Sequence, residues 1–436
     1  MEATLSIIGI VIGLAIIMLS VWKGWGVTIG SLVAAAAVIL FSNLNFLDAI
    51  NNNWLPTAGN FVKNYFVMFA LSALFGKLME KSGAAQDIAD LLFGLFGERY
   101  CVYGAQITAF VLIYGGVSGF VSIFTLYPIF LWCCRKANLP RSILPGMIYG
   151  SVCTFVSTAL PGTANLGNLM PIPYLNTTPA AAPVVGLIAS AACAGMIFAY
   201  WEYVIRKCRR ENIGFDTTPA IEKQIAEFEA RPQSKNRWIA FLPFVVLLGT
   251  LNIFKLNVLY CLMLASLTVL ILYWKRIDNK KQTLIEGMGN SVGALMNTAI
   301  VSAFGGVIQV TIGYSVIRDA LMNLFPGAPL WSLAIATTFL CGVSGSGFAG
   351  MNFALETLSP TYLAMGLNPQ IMHRVICIAG CGLDSLPHCG MVTTFIDYCG
   401  QTHKSSYKHV FVVSVVCTLA MLAVACGVGS LIYPIG

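Results

Sequence analysis

Two stretches of this chain, about half its length apart, carry the same interruptions inside apolar segments. Gly116-Val117-Ser118-Gly119 recurs as Gly342-Val343-Ser344-Gly345, displaced by 226 residues, and Leu160-Pro161 recurs as Leu386-Pro387 at the same displacement. Upstream, Ser72-Ala73-Leu74-Phe75-Gly76 aligns with Ser302-Ala303-Phe304-Gly305-Gly306, and Gly83 with Gly313, both displaced by 230. Three landmarks in one order at nearly one spacing describe an internal duplication. In lipid a helix break is tolerated only where protein or a wet cavity surrounds the freed backbone. Paired broken segments in corresponding halves are also the best sequence pointer to a carrier's binding site.

Composition places the duplication in a membrane. Hydrophobic residues make up 57% of the 436-residue chain and charged residues 10%, against about 25% charged in soluble domains. Apolar runs such as Leu5 to Trp22, Val184 to Tyr203 and Val410 to Leu431 suit spans of about 20 residues. The N-terminal run lacks a basic n-region and a small-residue cleavage site, so it reads as a first span and not a removed signal peptide. The formal charge of +7 sits in short polar connections, which excludes a nucleic-acid stripe. The 14 cysteines are scattered without zinc-type spacing, so neither a metal nor another cofactor is expected.

Charge placement predicts an orientation. An Asn-rich, Lys-poor loop from Ser42 to Asn60 reads as outside, with the N-terminus, whereas Arg135, Lys136 and Arg141 mark an inside connection. The basic stretch from Arg206 to Arg237 is inside as well, with Thr218 capping a short helix begun by Pro219. Two spans, Trp238 to Leu251 and Val258 to Trp274, return to the basic loop holding Lys275, Arg276, Lys280 and Lys281. The repeat landmark then enters from inside in the second half and from outside in the first. The expected fold is an all-α polytopic membrane protein of two inverted-topology repeats with broken or re-entrant helices. Its expected parts are a first membrane repeat (1–205), a cytoplasmic basic linker (206–237) and a second, inverted repeat (238–436), with about seven apolar passes in each half and both termini outside.

The breaks are where chemistry is expected. Tyr103 to Cys134 would run about 48 Å as one helix, too long for a hydrocarbon core of about 30 Å, so it must bend or break near Gly115 to Gly119. Trp331 to Leu367 must do so at Gly342 to Gly347. Second breaks follow at Pro161 to Asn168 and at Leu386 to Met391. Such breaks expose amide donors suited to an anion and carbonyls suited to a cation. The candidate substrate-binding residues around them are Ser118, Gly119, Thr163, Asn165, Asn168, Ser344, Gly345, Ser346, Asn352, Ser385, His388 and Thr393. They are mostly uncharged hydrogen-bonders, fitting a hydroxylated or carboxylated small molecule.

Buried charge narrows the search for a coupling group. A carboxylate at a span's centre costs roughly 2.5–3.5 kcal/mol on the insertion scale. Asp384, His388 and Glu356 are the candidates for carrying the coupling ion or proton; Asp384 and His388, four apart, would face each other on a helical turn. The residue matching Asp384 in the first half is Thr158, so the acid is not a symmetric structural device. Arg374 either neutralises a substrate carboxylate or snorkels to an interface. Asp87 and Asp90, with Lys77, Glu80 and Lys81, read as an interfacial polar face. A different class also fits one motif: Gly-x-Ser-Gly is the nucleophile motif of rhomboid-type intramembrane serine proteases, but its duplication alongside a single histidine argues against a catalytic serine. A selective channel is the other non-enzyme reading.

Thr158-Ala159-Leu160-Pro161-Gly162-Thr163, continuing through Asn168 to Thr177-Thr178-Pro179-Ala180-Ala181-Ala182-Pro183, resembles permeases of the gluconate:proton symporter (GntP-like) family. So do Gly382 to His388, Cys399 to Lys408, Pro360 to Leu363 and His373-Arg374-Val375. The resemblance implies a symporter of small organic acid anions in the cell membrane, coupled to H+ or Na+, working as an inverted-repeat homodimer whose substrate-carrying domain slides against a scaffold. It implies that the Pro161 to Asn168 and Asp384 to His388 loops line the substrate site. Where gluconate permeases carry a Pro-His-Pro-Gly type sequence, this chain has Pro161-Gly162-Thr163-Ala164, so gluconate and shorter hydroxy- or monocarboxylates both stay open.

Overall fold

The computed structural model describes residues 2–23, 25–96, 100–117, 119–230, 237–322, 327–387 and 389–434. Ser118 and His388 lie outside the described residues, as does the side chain of Ser344.

Among the described residues every regular element is helical. The chain runs through α1 (Glu2–Trp22), α2 (Gly26–Phe41), α3 (Phe46–Ala49), α4 (Leu55–Lys81), α5 (Ala84–Phe96), α6 (Cys101–Tyr114) and α7 (Gly119–Lys136). It continues through α8 (Leu144–Val152), α9 (Phe155–Thr158), α10 (Leu166–Leu169), α11 (Ile172–Leu175), α12 (Pro183–Arg210) and α13 (Pro219–Ala230). Next come α14 (Leu242–Leu248), α15 (Val258–Tyr273), α16 (Lys280–Gln309), α17 (Ile312–Met322), α18 (Pro329–Ser344), α19 (Gly347–Thr357) and α20 (Ser359–Ala364). The last are α21 (Pro369–Ala379), α22 (Gly390–Tyr398), α23 (His403–Val410) and α24 (Cys417–Ile432). Helix starts follow local chemistry: Pro183, Pro329 and Pro369 each open a helix, where a missing N–H costs nothing. The Asn368 side chain caps α21 by accepting from Gln370 N at 2.8 Å.

Length separates two kinds of helix. Five are long and apolar enough to cross a membrane: Glu2–Ser20, Phe46–Lys81, Pro183–Arg210, Lys280–Gln309 and His403–Ile432; a sixth span arises if Pro369–Ser385 and Gly390–Tyr398, bent by 59°, count as one. This makes fewer full spans than the expected seven passes per half. The rest are shorter apolar helices, such as Cys101–Tyr114 and Pro329–Gly342. At 1.5 Å per residue these reach only about 21 Å, short of the bilayer core. Large apolar side chains left exposed on the outer helices, among them Leu40, Ile253, Ile271 and Leu431, belong in lipid and not in water. The molecule is a multi-pass membrane protein.

One expected loop is a helix. The Asn-rich segment from Ser42 to Asn60 is irregular only to Asn45, whose side chain accepts from Asp48 N at 3.1 Å and starts a helix that continues to Lys81. Poor helix propensity of the asparagines is overridden by packing. A Cβ on Gly306 of α16 would fall 2.8 Å from Asn53 O and 2.9 Å from Thr57 Cβ, and one on Gly287 would fall 2.9 Å from Leu74 Cδ1. The early end of α4 thus meets the late end of α16 and the reverse, so the two repeat landmarks lie on antiparallel helices in direct contact. Their neighbours interlock: α2 packs on α16, α15 on α4, and α1 on α17.

The basic connections gather at one end. Arg141 pairs with Asp216 at 2.9 Å and Arg135 with Glu222 at 3.1 Å, tying the α7–α8 turn to the stretch around α13. As the sequence indicates, α13 begins at Pro219 with the Thr218 hydroxyl accepting from Ile221 N at 3.3 Å. Asp87 departs from expectation. It is nearly buried and receives Arg276 Nη1 at 2.7 Å, a link between α5 and the α15–α16 connection that the sequence reading treated as surface.

The first interruption in each half is a sharp reversal. Gly116 (φ +87°) turns the chain after α6, and Gly345 (φ +61°) turns it after α18, a conformation that an L side chain resists. The shared Gly-Val-Ser-Gly motif thus puts its left-handed residue first in one half and last in the other. After Gly345, α19 folds back along α18, and a Cβ on Gly350 would lie 2.5 Å from Cys341 Cα and N. Gly350→Ala is therefore expected to destabilise the hairpin by about 1–3 kcal/mol. Gly427→Ala, at a helical position with nothing within 4 Å, is expected to be neutral or stabilising. Melting temperatures of the two purified variants check the contrast.

Candidate functional site

The four interruptions meet. Within the first half, a Cβ on Gly116 would sit 3.3 Å from Ala164 Cβ, and the Tyr114 hydroxyl donates to Pro161 O at 3.1 Å. Within the second, Gly342 abuts Leu383 and Gly347 abuts Asp384. Between halves, Gly119 faces the Met391 methyl, Gly167 faces Phe348, and Cys153 Sγ lies 3.7 Å from Met391 Sδ. The Tyr149 hydroxyl is 3.2 Å from Ser385 Oγ, and Thr158 Oγ1 is 3.0 Å from Cys381 Sγ. Helix ends with unpaired backbone groups are costly in a dry interior, and gathering them shares one polar region among four breaks.

Asp384 stands at the junction of two of these breaks. It lies in a single 3₁₀ turn, Leu383–Ser385, between α21 and α22, and Ser385 Oγ donates to its Oδ1 at 2.9 Å. Its Oδ2 approaches Gly347, the first residue of α19, to 3.0 Å of where a Cβ would stand. The carboxylate therefore lies at the positive end of an eleven-residue helix capped by Ser346, whose Oγ accepts from Ala349 N at 3.4 Å. No basic side chain among the described residues pairs with Asp384. The helical turn that would place His388 opposite it does not form, because the 3₁₀ turn ends at Ser385 and Leu386 is extended.

Behind the first-half loop lies a hub that the sequence reading missed. Arg374 on α21 is fully buried, and all five of its donors are taken. Nε and Nη2 reach Ala181 O (3.1 and 2.8 Å), Nη2 also reaches Pro179 O (3.1 Å), and Nη1 reaches Thr158 O (2.5 Å) and Asn168 Oδ1 (2.8 Å). It neither faces a substrate nor snorkels: the carbonyls of the first-half loop enclose it. Asn168 completes the hub, its Nδ2 donating to Thr163 O at 3.0 Å and Pro179 O at 2.9 Å, with His373 Nε2 3.3 Å from its Oδ1. His373 Nδ1 lies 2.6 Å from Thr177 Oγ1. The second half thus grips the first-half loop through two adjacent side chains. Thr163 is buried beside this hub, while Asn165 caps α10 from a half-exposed position, accepting from Gly167 N at 3.3 Å.

Glu356 lies near the other end of α19 from Asp384. Tyr174 Oη is 2.9 Å from Glu356 Oε1 and 3.1 Å from Asn352 Oδ1, and Asn352 Nδ2 donates to Ser302 Oγ at 3.1 Å. These groups border a cavity of about 380 Å³ lined also by Thr57, Asn60, Asn64, Gln309, Ser359 and Pro360. The sequence did carry a signal for this wall: Thr57, Asn60 and Asn64 recur at helical spacing on one face of α4. Tyr174→Phe is expected to lower stability by about 1–2 kcal/mol, since it deprives one acceptor of its donor. A drop of a few degrees in the melting temperature checks this, and an unchanged melt speaks against it.

The remaining sequence candidates divide simply. Thr393 Oγ1 is turned back onto Cys389 O at 3.2 Å within its own helix. Gly119, Gly345, Ser346 and Ser385 lie at the gathered breaks. Ser118, His388 and the Ser344 side chain lie outside the described residues, and with them the groups a serine protease would need.

Comparison with known proteins gives this arrangement a family. Residues 5–226, just over half of the chain, match the model of the GntP family permeases. An uncharacterized transporter of Bacillus subtilis (strain 168), YxjC, is 29% identical, with 96% of this chain and 98% of that protein aligned. An uncharacterized transporter of Haemophilus influenzae is 23% identical over 74% of each chain. Broken apolar helices packed tip to tip, the loop motifs around Pro161 and Asp384, and the matched first half agree: this chain belongs to the GntP permease family.

Proposed function

We propose that the chain is a secondary active transporter that moves a small organic acid anion, gluconate or a shorter hydroxy- or monocarboxylate, together with protons. The observation that carries this is the Asp384 carboxylate at the N-terminus of α19, within the cluster of four breaks. A helix N-terminus favours a negative charge. While Asp384 is ionised, its own charge occupies that field. Protonation removes the charge and leaves the α19 donors, Ser346 and Ser385 to an incoming carboxylate. Proton and anion then enter as a neutral pair, which is symport by charge balance. The substrate loops in this reading are Pro161 to Asn168 and Asp384 to His388, with Gly119, Gly345, Thr163 and Asn165 at their margins.

The antiparallel packing of α4 on α16 supports an inverted repeat, with 1–205 and 238–436 as its two units joined by a cytoplasmic basic linker and with both termini outside. The long α4–α16 pair would form the scaffold, and the body knitted together by Arg374 would move against it, elevator-fashion, in a homodimer. Sodium is the second reading for the coupling ion, favoured by the oxygen-lined cavity at Glu356.

Thermal stabilisation of the purified protein across a panel of carboxylates tests the reading. A ligand selective for the folded state at 100 times its Kd adds about 2.7 kcal/mol. At least one hydroxy- or monocarboxylate is expected to raise the melting temperature, more at low pH than at high pH. No response to any carboxylate would count against an anion carrier.

A further inference from the structure

The cavity at Glu356 holds a chemistry that the anion site does not use. Its one charged lining group is the Glu356 carboxylate, and the rest of the polar wall is neutral oxygen or amide: Thr57, Asn60, Asn64, Gln309, Tyr174 and Ser359. The Ser359 hydroxyl is the informative member. Ser359 is 2% exposed, and its Oγ has no hydrogen-bond partner. A buried hydroxyl left without a partner costs about 1–3 kcal/mol, so this one lacks something that the protein itself does not supply.

Backbone fields point the same way. Glu356 lies in the last turn of α19, which ends at Thr357, and Gln309 is the last residue of α16. Two helix C-termini, each bearing about half a negative charge, converge beside a carboxylate. The α4 wall brings no opposing N-terminus, because that helix runs unbroken from Phe46 and Thr57 is well inside it. An anion would meet three repulsive charges here. A cation would meet one full negative charge and several hard oxygens.

We propose that this cavity binds a hydrated alkali cation, with Glu356 as its counter-charge and the Ser359 hydroxyl and neighbouring side-chain oxygens as ligands. A monovalent ion suits the single carboxylate. Among the described residues no group of three or more His, Cys, Asp or Glu exists to neutralise a transition metal or a second charge. At about 30 Å³ per water, a volume of about 380 Å³ leaves the ion much of its hydration shell. The site lies where α4 and α16 face α19 and α20, so a bound ion would bridge the proposed scaffold and the proposed moving body.

The test needs no organic anion, so its failure leaves the transport reading untouched. Purified protein is melted in sodium, potassium or choline chloride at constant ionic strength and alkaline pH, and binding of radiolabelled sodium to the wild type is measured directly. A saturable rise in melting temperature with sodium or potassium over choline, together with retained label, is expected. Glu356→Gln should abolish the rise, and Ser359→Ala should weaken the apparent affinity about fivefold, the equivalent of about 1 kcal/mol. Equal melting in all three salts, no retained label, or a cation response surviving Glu356→Gln would overturn the proposal; the wild-type label measurement stands even if that variant does not fold.

Discussion

Proteoliposomes carrying the Asp384→Asn protein are expected to equilibrate the transported anion without concentrating it. Asparagine reproduces the shape and neutrality of the protonated acid, keeps an acceptor for Ser385 Oγ (2.9 Å in the parent) and still fits beside Gly347. It cannot release a proton. Uphill accumulation driven by a pH gradient should therefore fall to a concentration ratio near one, and the pH dependence of exchange should flatten. Membrane abundance and melting temperature should stay close to the parent, because no ion pair is broken among the described residues. Accumulation at the parental level would remove Asp384 from the coupling step.

Arg374→Ala is expected to have the largest effect on the folded state. It strips donors from Thr158 O, Asn168 Oδ1, Pro179 O and Ala181 O within a fully buried hub. At about 1–3 kcal/mol for each acceptor left unpaired, the loss should exceed about 4 kcal/mol, a large share of a typical 5–15 kcal/mol. Arg374→Lys should fall between, since an ammonium has three donors and cannot span a planar fan of carbonyls. Monodisperse yield on size exclusion and the melting temperature read this out. A normal melt for the alanine protein would mean that the hub is not what holds the first-half loop.

Which parts of this were legible in the sequence follows from physical range. The break positions were, because Gly116, Gly345, Pro161 and Pro387 break helices through their own backbone chemistry. The kind of break was not. That α19 doubles back on α18 depends on Gly350 meeting the Cys341 backbone, a contact visible only in three dimensions. Arg374 was misread for the same reason: a charge in an apolar run is plain in sequence, but the carbonyls that surround it come from residues 158–181, about two hundred positions away. The Asn-rich stretch read as a loop from propensity alone and was claimed as helix by α16. Asp384 was found correctly as an isolated acid beside a break; its place at the start of α19 came from the fold. The polar wall of Thr57, Asn60 and Asn64 was readable and passed over inside an expected loop.

Uptake by the purified protein in sealed proteoliposomes, with an imposed inward proton gradient and a labelled hydroxy- or monocarboxylate outside, tests the central claim most directly. The expected result is transient accumulation above the outside concentration that collapses when a protonophore dissipates the gradient. Flux that only equilibrates, with or without the gradient, would contradict a proton-coupled carrier.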